Sequence, residues 1–194
     1  MWKVLQAVVL ALLTGVATAA AQTPPQADDV LKAAKMKAAD QHKSIFLIFG
    51  ASWCEACHQL DAFLTNPEVV AIFDKYFVVA NVTFGEAAGG HAALDNPGSD
   101  SLIMKYGGLA PGGGEVSLPF IAVLEPSGKL IVNSNMPGKA KAAANGGFPI
   151  AEEETRWFLG MLKKGAPAIT EDETGKIREA LRAAVVVPSD AAGH

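Results

Sequence analysis

Two cysteines, Cys54 and Cys57, are the only ones in this chain of 194 residues, and two positions separate them. That spacing favours chemistry over stapling. A structural disulfide framework uses several cysteines to close longer loops. A bridge across two residues removes little chain entropy. The pair follows Gly50-Ala51-Ser52-Trp53 and opens a helical pattern. Unpaired backbone N–H groups and the helix dipole at such a terminus favour an anion, so Cys54 should ionise more readily than a free thiol and act as the nucleophile. Cys57, about one turn on, is placed to resolve a mixed disulfide. Trp53 shields one side of Cys54 and leaves it open. Two modulators flank the pair: the charge of Glu55 opposes the dipole's pull on the Cys54 proton, and His58 would favour a thiolate if charged.

Two other chemistries fit the same residues. Cys54-Glu55-Ala56-Cys57-His58 satisfies the C-x-x-C-H signature of c-type haem attachment, with Met104 or Met136 as an axial ligand. Cys54, Cys57, His58 and His91 are also four zinc-compatible side chains. A structural zinc site, however, uses two well-spaced ligand pairs, so the expectation is no metal and no cofactor beyond a redox-active Cys54–Cys57 disulfide.

The rest of the chain bounds where this chemistry operates. Lys3, the apolar stretch Val4–Leu13 and the small residues Thr14–Ala21 form a signal-peptide pattern, with Ala19-Ala20-Ala21 as the cleavage signal. The chain is therefore expected in the periplasm or secreted, an uncleaved membrane anchor being the alternative. Half the residues are apolar and 19% are charged, which is globular composition. A formal charge of −4 without a Lys/Arg cluster argues against nucleic acid or an anionic membrane as partner.

The elements that must position the pair can be read in order. After the signal at 1–21 and a short tether at 22–26, Asp28 or Asp29 caps a helix to about His42. Ser44–Gly50 is an apolar run of strand length, buried on both faces. The cysteine helix runs through Leu60, Phe63 and Leu64. Asn66 and Pro67 restart a helix to about Asp74, and Tyr76–Val82 is a second buried strand. Phe84–Gly98 reads as an insertion loop and Ser99–Tyr106 as a short helix. Leu109–Leu118 is a glycine-rich loop. Strands Pro119–Leu124 and Lys129–Asn133 flank the turn Glu125-Pro126-Ser127-Gly128. Asn135–Phe148 is a small-residue loop. Pro149 opens a helix, Glu152–Lys163, with Trp157, Phe158, Met161 and Leu162 facing the core. Thr170 and Glu173 form a capping box for a last helix to about Ala184, and Pro188–His194 frays. The order gives an α/β fold: a parallel pair plus an antiparallel hairpin in one mixed sheet, with helices on both faces.

Phe49-Gly50-Ala51-Ser52-Trp53-Cys54-Glu55-Ala56-Cys57 resembles the active site of the thioredoxin superfamily, and Ser117-Leu118-Pro119-Phe120 resembles its cis-proline loop. The match covers about Ala27–Lys164, leaving 165–194 as a helical extension and tail. The resemblance implies a thioredoxin-like fold, a cis bond before Pro119 and a substrate strand paired with the Leu118 backbone. Trp53, Leu118 and Pro119 then line the substrate-binding face. It also implies a monomeric protein-disulfide oxidoreductase that exchanges with protein thiols or disulfides and with a protein electron donor or acceptor. A non-catalytic binding or chaperone module on the same fold is the alternative. Two departures are visible. Glu55-Ala56 stands where thioredoxins carry Gly-Pro, and Ile48 stands where they carry a buried acid. The direction of electron flow stays open.

Overall fold

A computed structural model describes residues 23–109, 116–139 and 145–186. The signal peptide expected at 1–21 and the tail expected at 188–194 lie outside the described residues. So does the middle of the glycine-rich loop, 110–115.

Helix α1 (Ala27–Gln41) is followed by strand β1 (Ser44–Gly50), α2 (Glu55–Leu64), α3 (Pro67–Tyr76) and strand β2 (Phe77–Thr83). Then come α4 (Ser99–Lys105), the strands β3 (Phe120–Leu124) and β4 (Leu130–Asn133), and the helices α5 (Glu152–Gly165) and α6 (Glu171–Val186). The four strands form one sheet in the order β2-β1-β3-β4. β1 runs parallel to β2 and antiparallel to β3, which is antiparallel to β4. This is the mixed sheet expected from the order of elements.

Strand β1 shows why the sheet needs cover on both sides. Side chains alternate between faces along a strand, and every residue from Ile45 to Phe49 is buried. Ile45, Leu47 and Phe49 pack with Leu31 and Ala34 of α1 and Ile103 of α4. Phe46 and Ile48 face the other way, toward Leu60 and Phe63 of α2, Phe73 of α3, Phe158 of α5 and Leu181 of α6. Phe46 meets Phe73, Phe77 and Phe158 edge-on, with ring centroids 5.1 to 6.1 Å apart, the geometry aromatic quadrupoles prefer.

Several local expectations shift. Neither Asp28 nor Asp29 caps α1; Gln26 takes that position without a side-chain bond. Both aspartates instead lie in the first turn, where the dipole favours them. Tyr76 ends α3 rather than opening β2, and its hydroxyl donates to the Glu173 carboxylate at 2.9 Å, with the Ala168 carbonyl 3.1 Å away. The strand expected from Pro119 begins at Phe120, since proline has no N–H to give a ladder. Helix α5 begins at Glu152 as expected, where Glu154 accepts from the Ile150 and Ala151 amides, and it runs two residues past Lys163 to Gly165. Trp157 is half-buried rather than core, because its indole N–H reaches the Asn133 carbonyl at the rim. Phe84–Gly98 is not a plain loop: it contains two 3-10 turns, Glu86–Gly89 and Ala92–Leu94.

The Thr170–Glu173 capping box is present. The Thr170 amide and hydroxyl donate to Glu173 Oε2, and the Glu173 amide donates to Thr170 Oγ1. The Thr170 amide first, then Lys75 at 3.0 Å, hold the Glu173 carboxyl down to about 2. A carboxylate with a depressed folded value contributes stability at a pH above its unfolded value, and that contribution fades as the pH falls toward the folded one. Glu173→Gln should therefore unfold at lower urea than the parent near neutral pH. The gap should narrow between the ordinary value of 4.5 and about 2, as a urea series over that range would show.

Candidate functional site

The tip of β1 delivers the cysteines. Gly50 closes the strand, and a Cβ there would sit 3.3 Å from Cys57 Sγ, so glycine leaves that sulfur its space. The chain then turns through Ala51–Trp53, and Cys54 becomes the N-cap of α2, in extended backbone. Its sulfur accepts a hydrogen bond from the Cys57 amide at 3.2 Å. This is the orphan donor that a helix N-terminus offers an anion. The two sulfurs are joined as a disulfide. Cys54 and Cys57 are 5% and 6% exposed, so in this form Cys54 is as shielded as Cys57 rather than the open one of the pair.

Three elements close around the disulfide. Leu118 packs on the buried group Ala51, Cys54 and Cys57, and the Leu118–Pro119 peptide is cis. Trp53 is 47% exposed, with its indole N–H donating to the Gly85 carbonyl at 2.8 Å. Gly85 has φ +84° and lies between Trp53 and Leu118: a Cβ there would be 3.9 Å from the indole and 3.7 Å from Leu118. Gly89 sits flat under the same indole, where a Cβ would come within 2.6 Å of Trp53 Cδ1. Trp53, Leu118 and Pro119 thus gather at the disulfide. Glu55 and His58 are exposed on the first turns of α2. His91 is exposed as well. Met104 is on the surface of α4 and Met136 is buried beyond β4. Among the described residues no group of three or more His, Cys, Asp or Glu side chains is arranged to hold a metal ion.

Behind Cys57 lies a cavity of about 290 Å³, lined among others by Ile48, Ser52, His58, Asp61, Asn81 and Glu86. Polar side chains make up about half of its wall despite Ile48. Burial raises the Asp61 carboxyl above its ordinary value, and the neighbouring His58 partly offsets this. Glu86 is 1% exposed. Its Oε1 accepts from the Ser52 amide at 2.6 Å and its Oε2 from the Ser52 hydroxyl at 2.7 Å. Asp95 in turn accepts from the Glu86 amide. On the opposite side, the Asn145 amide nitrogen donates to the carbonyls of Ser117 and Pro119, at 2.6 and 3.0 Å, clamping the cis-proline loop from both ends. Asp61, Glu86 and Asn145 were not candidates from the sequence. The only local signals were a lone acid in a Gly/Ala-rich stretch and an Asn before Gly146-Gly147.

A family model described as thioredoxin-like matches residues 26–126. No curated protein matches the chain. Among solved structures, the chain is similar to a disulphide isomerase from Xylella fastidiosa Temecula1, with 22% identity and a TM-score of 0.47. That match covers 72% of this chain and 95% of the other. A DsbH oxidoreductase matches at 17% identity and a TM-score of 0.41, over 84% of this chain and 96% of its own. The C-terminal domain of DsbD from Neisseria meningitidis, in its oxidised form, matches at 18% identity and a TM-score of 0.39, over 72% and 99%.

Proposed function

The chain belongs to the thioredoxin-like family, and from that premise we propose that it is an exported thiol–disulfide oxidoreductase that exchanges disulfides with partner proteins through Cys54 and Cys57. The observation that carries this reading is the disulfide at the N-cap of α2, with an amide aimed at the Cys54 sulfur and the Leu118–Pro119 loop against it.

In the reduced protein, the Cys54 thiolate attacks one sulfur of a partner disulfide. A mixed Cys54–partner bond forms, the partner's own S–S bond breaks, and its second sulfur leaves as a thiolate that takes a proton. Cys57 then gives up its proton and attacks Cys54 Sγ. The Cys54–Cys57 bond forms, the mixed bond breaks, and the partner's first sulfur leaves. Two electrons have moved from the pair to the partner, and the reverse sequence oxidises a partner dithiol. Among the described residues nothing bonds the Leu118 amide or carbonyl, which suits the pairing of an extended partner segment there. Trp53 and Leu118 supply apolar contact on either side.

Export rests on the signal-peptide pattern of residues 1–21. No helix among the described residues is long and apolar enough to cross a membrane. The test is a redox titration of the mature protein in glutathione buffers, with free thiols alkylated and counted by intact mass. A reversible two-electron transition supports exchange, whereas cysteines that stay oxidised or reduced throughout would sink it. Intact mass of the native protein from a periplasmic extract checks export: the expected species begins at Gln22 or shortly before.

A further inference from the structure

We propose that Glu86 holds the Cys54–Cys57 pair on the reducing side of its redox range, so that the dithiol form gives electrons to partner disulfides. The proposal rests on the exchange reading above and adds its direction. Glu86 comes from the turn after β2, 34 residues from Ser52 in sequence, yet its carboxylate is sunk against the Ser52-Trp53-Cys54 turn. It lines the same cavity as Cys57.

Both carboxylate oxygens accept hydrogen bonds from Ser52, which fits the charged form. Two consequences follow for the sulfurs. The Ser52 amide and hydroxyl, donors two residues from Cys54, are committed to the Glu86 carboxylate. A negative charge also stands in a shielded site beside the pair, where Coulomb interactions are stronger than in water. Both effects disfavour a thiolate. The reduced form loses the stabilisation that makes a strongly oxidising pair, and its electrons are given up more easily.

His58 is the one side chain lining the cavity that can carry a positive charge, and it faces Asp61. From α2 the facing groups are Cys57, His58 and Asp61, and from β2 Asn81 and Thr83. From the following turn, Asp95 bonds the Glu86 amide, and His91 gives only its backbone N–H to the Glu86 carbonyl. Glu55 adds a further acid to the first turn of α2. No lysine or arginine lines the cavity. The electron balance is that of the exchange above: the pair becomes the disulfide, the partner disulfide becomes a dithiol, and a protein dithiol of lower potential must recharge Cys54 and Cys57.

The test uses the mature full chain with Glu86→Gln and Ser52→Ala. Glutamine keeps the size and an acceptor for the Ser52 amide, while the serine hydroxyl can rotate to accept from its amide nitrogen, so the charge alone is removed. Ser52→Ala removes one bond and leaves the charge. In glutathione buffers at about pH 8.5, near the acidity of a free thiol, Glu86→Gln should shift the dithiol–disulfide equilibrium roughly tenfold toward the dithiol, or about 30 mV. Alkylation of Cys54 near neutral pH should quicken by a similar factor, whereas Ser52→Ala should change either reading by less than about twofold.

If Glu86→Gln leaves both readings unchanged, or if Ser52→Ala shifts them as much as Glu86→Gln, the proposal is overturned and Glu86 only grips the turn. A wild-type midpoint no more reducing than the glutathione couple overturns it whether or not the variants fold. A wild-type protein with no reversible transition overturns the exchange reading as well.

Discussion

Replacing Cys54 with Ser should reduce the turnover of a model protein disulfide to background, a loss of about a thousandfold or more, since the attacking atom itself is gone. The fold should survive. Cys54 is a small side chain at an N-cap, and serine is among the preferred residues there because its oxygen can accept from the same Cys57 amide. Cys57→Ser should fail differently. Cys54 can still attack, but nothing resolves the mixed disulfide, so a covalent adduct of protein and partner should accumulate in a single round. Intact mass would read that adduct, with its loss on adding a small thiol as the control. Turnover retained in Cys54→Ser would overturn the assignment of nucleophile. A Cys57→Ser variant that turns over normally, without an adduct, would show that resolution comes from elsewhere.

The contrast between these cysteines and the residues around them shows what a sequence can carry. Cys54 and Cys57 were legible because the motif is contiguous: strand, turn and both cysteines follow one another in fourteen residues from Ser44 to Cys57. Strand β1 was legible because five consecutive apolar side chains have no other stable place than between two layers of helices. Glu86 was hidden for the opposite reason. Its partner is 34 residues away and its own neighbours are small residues without period, so nothing local distinguishes a buried acid from a solvated one. Asn145 is the same case on the far side, gripping carbonyls 26 and 28 residues earlier. Position 48 adds a further point. Ile48 shows that the superfamily's usual acid is missing there, but the wall of the cavity against Cys57 is partly polar through Asp61 and Glu86, which reach it from α2 and from the turn after β2. A missing acid at one position does not make a site apolar when the fold can bring acids from other elements.

The C-terminal helix is the place where its face, rather than its existence, was hidden, and cutting it off should have the largest effect on folding. The Thr170–Glu173 capping box marks where a helix starts, but not which of its side chains are buried or what they cover. The helix's buried face lies in the same core as Phe46, Leu60, Phe73 and Phe158, and Ile177 and Leu181 are 0% and 1% exposed. Helix α6 therefore supports the rear of α2, the helix that presents the cysteines. A chain ending at Lys164 also loses Ile169, which is 2% exposed. Burying one such aliphatic side chain contributes about 2 kcal/mol, so the three together contribute roughly 6 kcal/mol. A domain of this kind has a total stability of about 5–15 kcal/mol. The ion pairs that tie α6 to other elements, Lys75–Glu173 and Arg178–Glu152, each have a partly exposed partner and contribute little beside this. The truncated chain should show no cooperative urea transition and little native helical signal in far-ultraviolet circular dichroism. Ile177→Ala, which leaves the helix in place, should cost about 2–5 kcal/mol and keep a cooperative transition at lower urea. A truncated chain that unfolds at the wild-type midpoint would make α6 an appendage. The transition expected for Ile177→Ala, beside a truncated chain with none, would make residues 171–186 part of the domain that holds Cys54 and Cys57 in place.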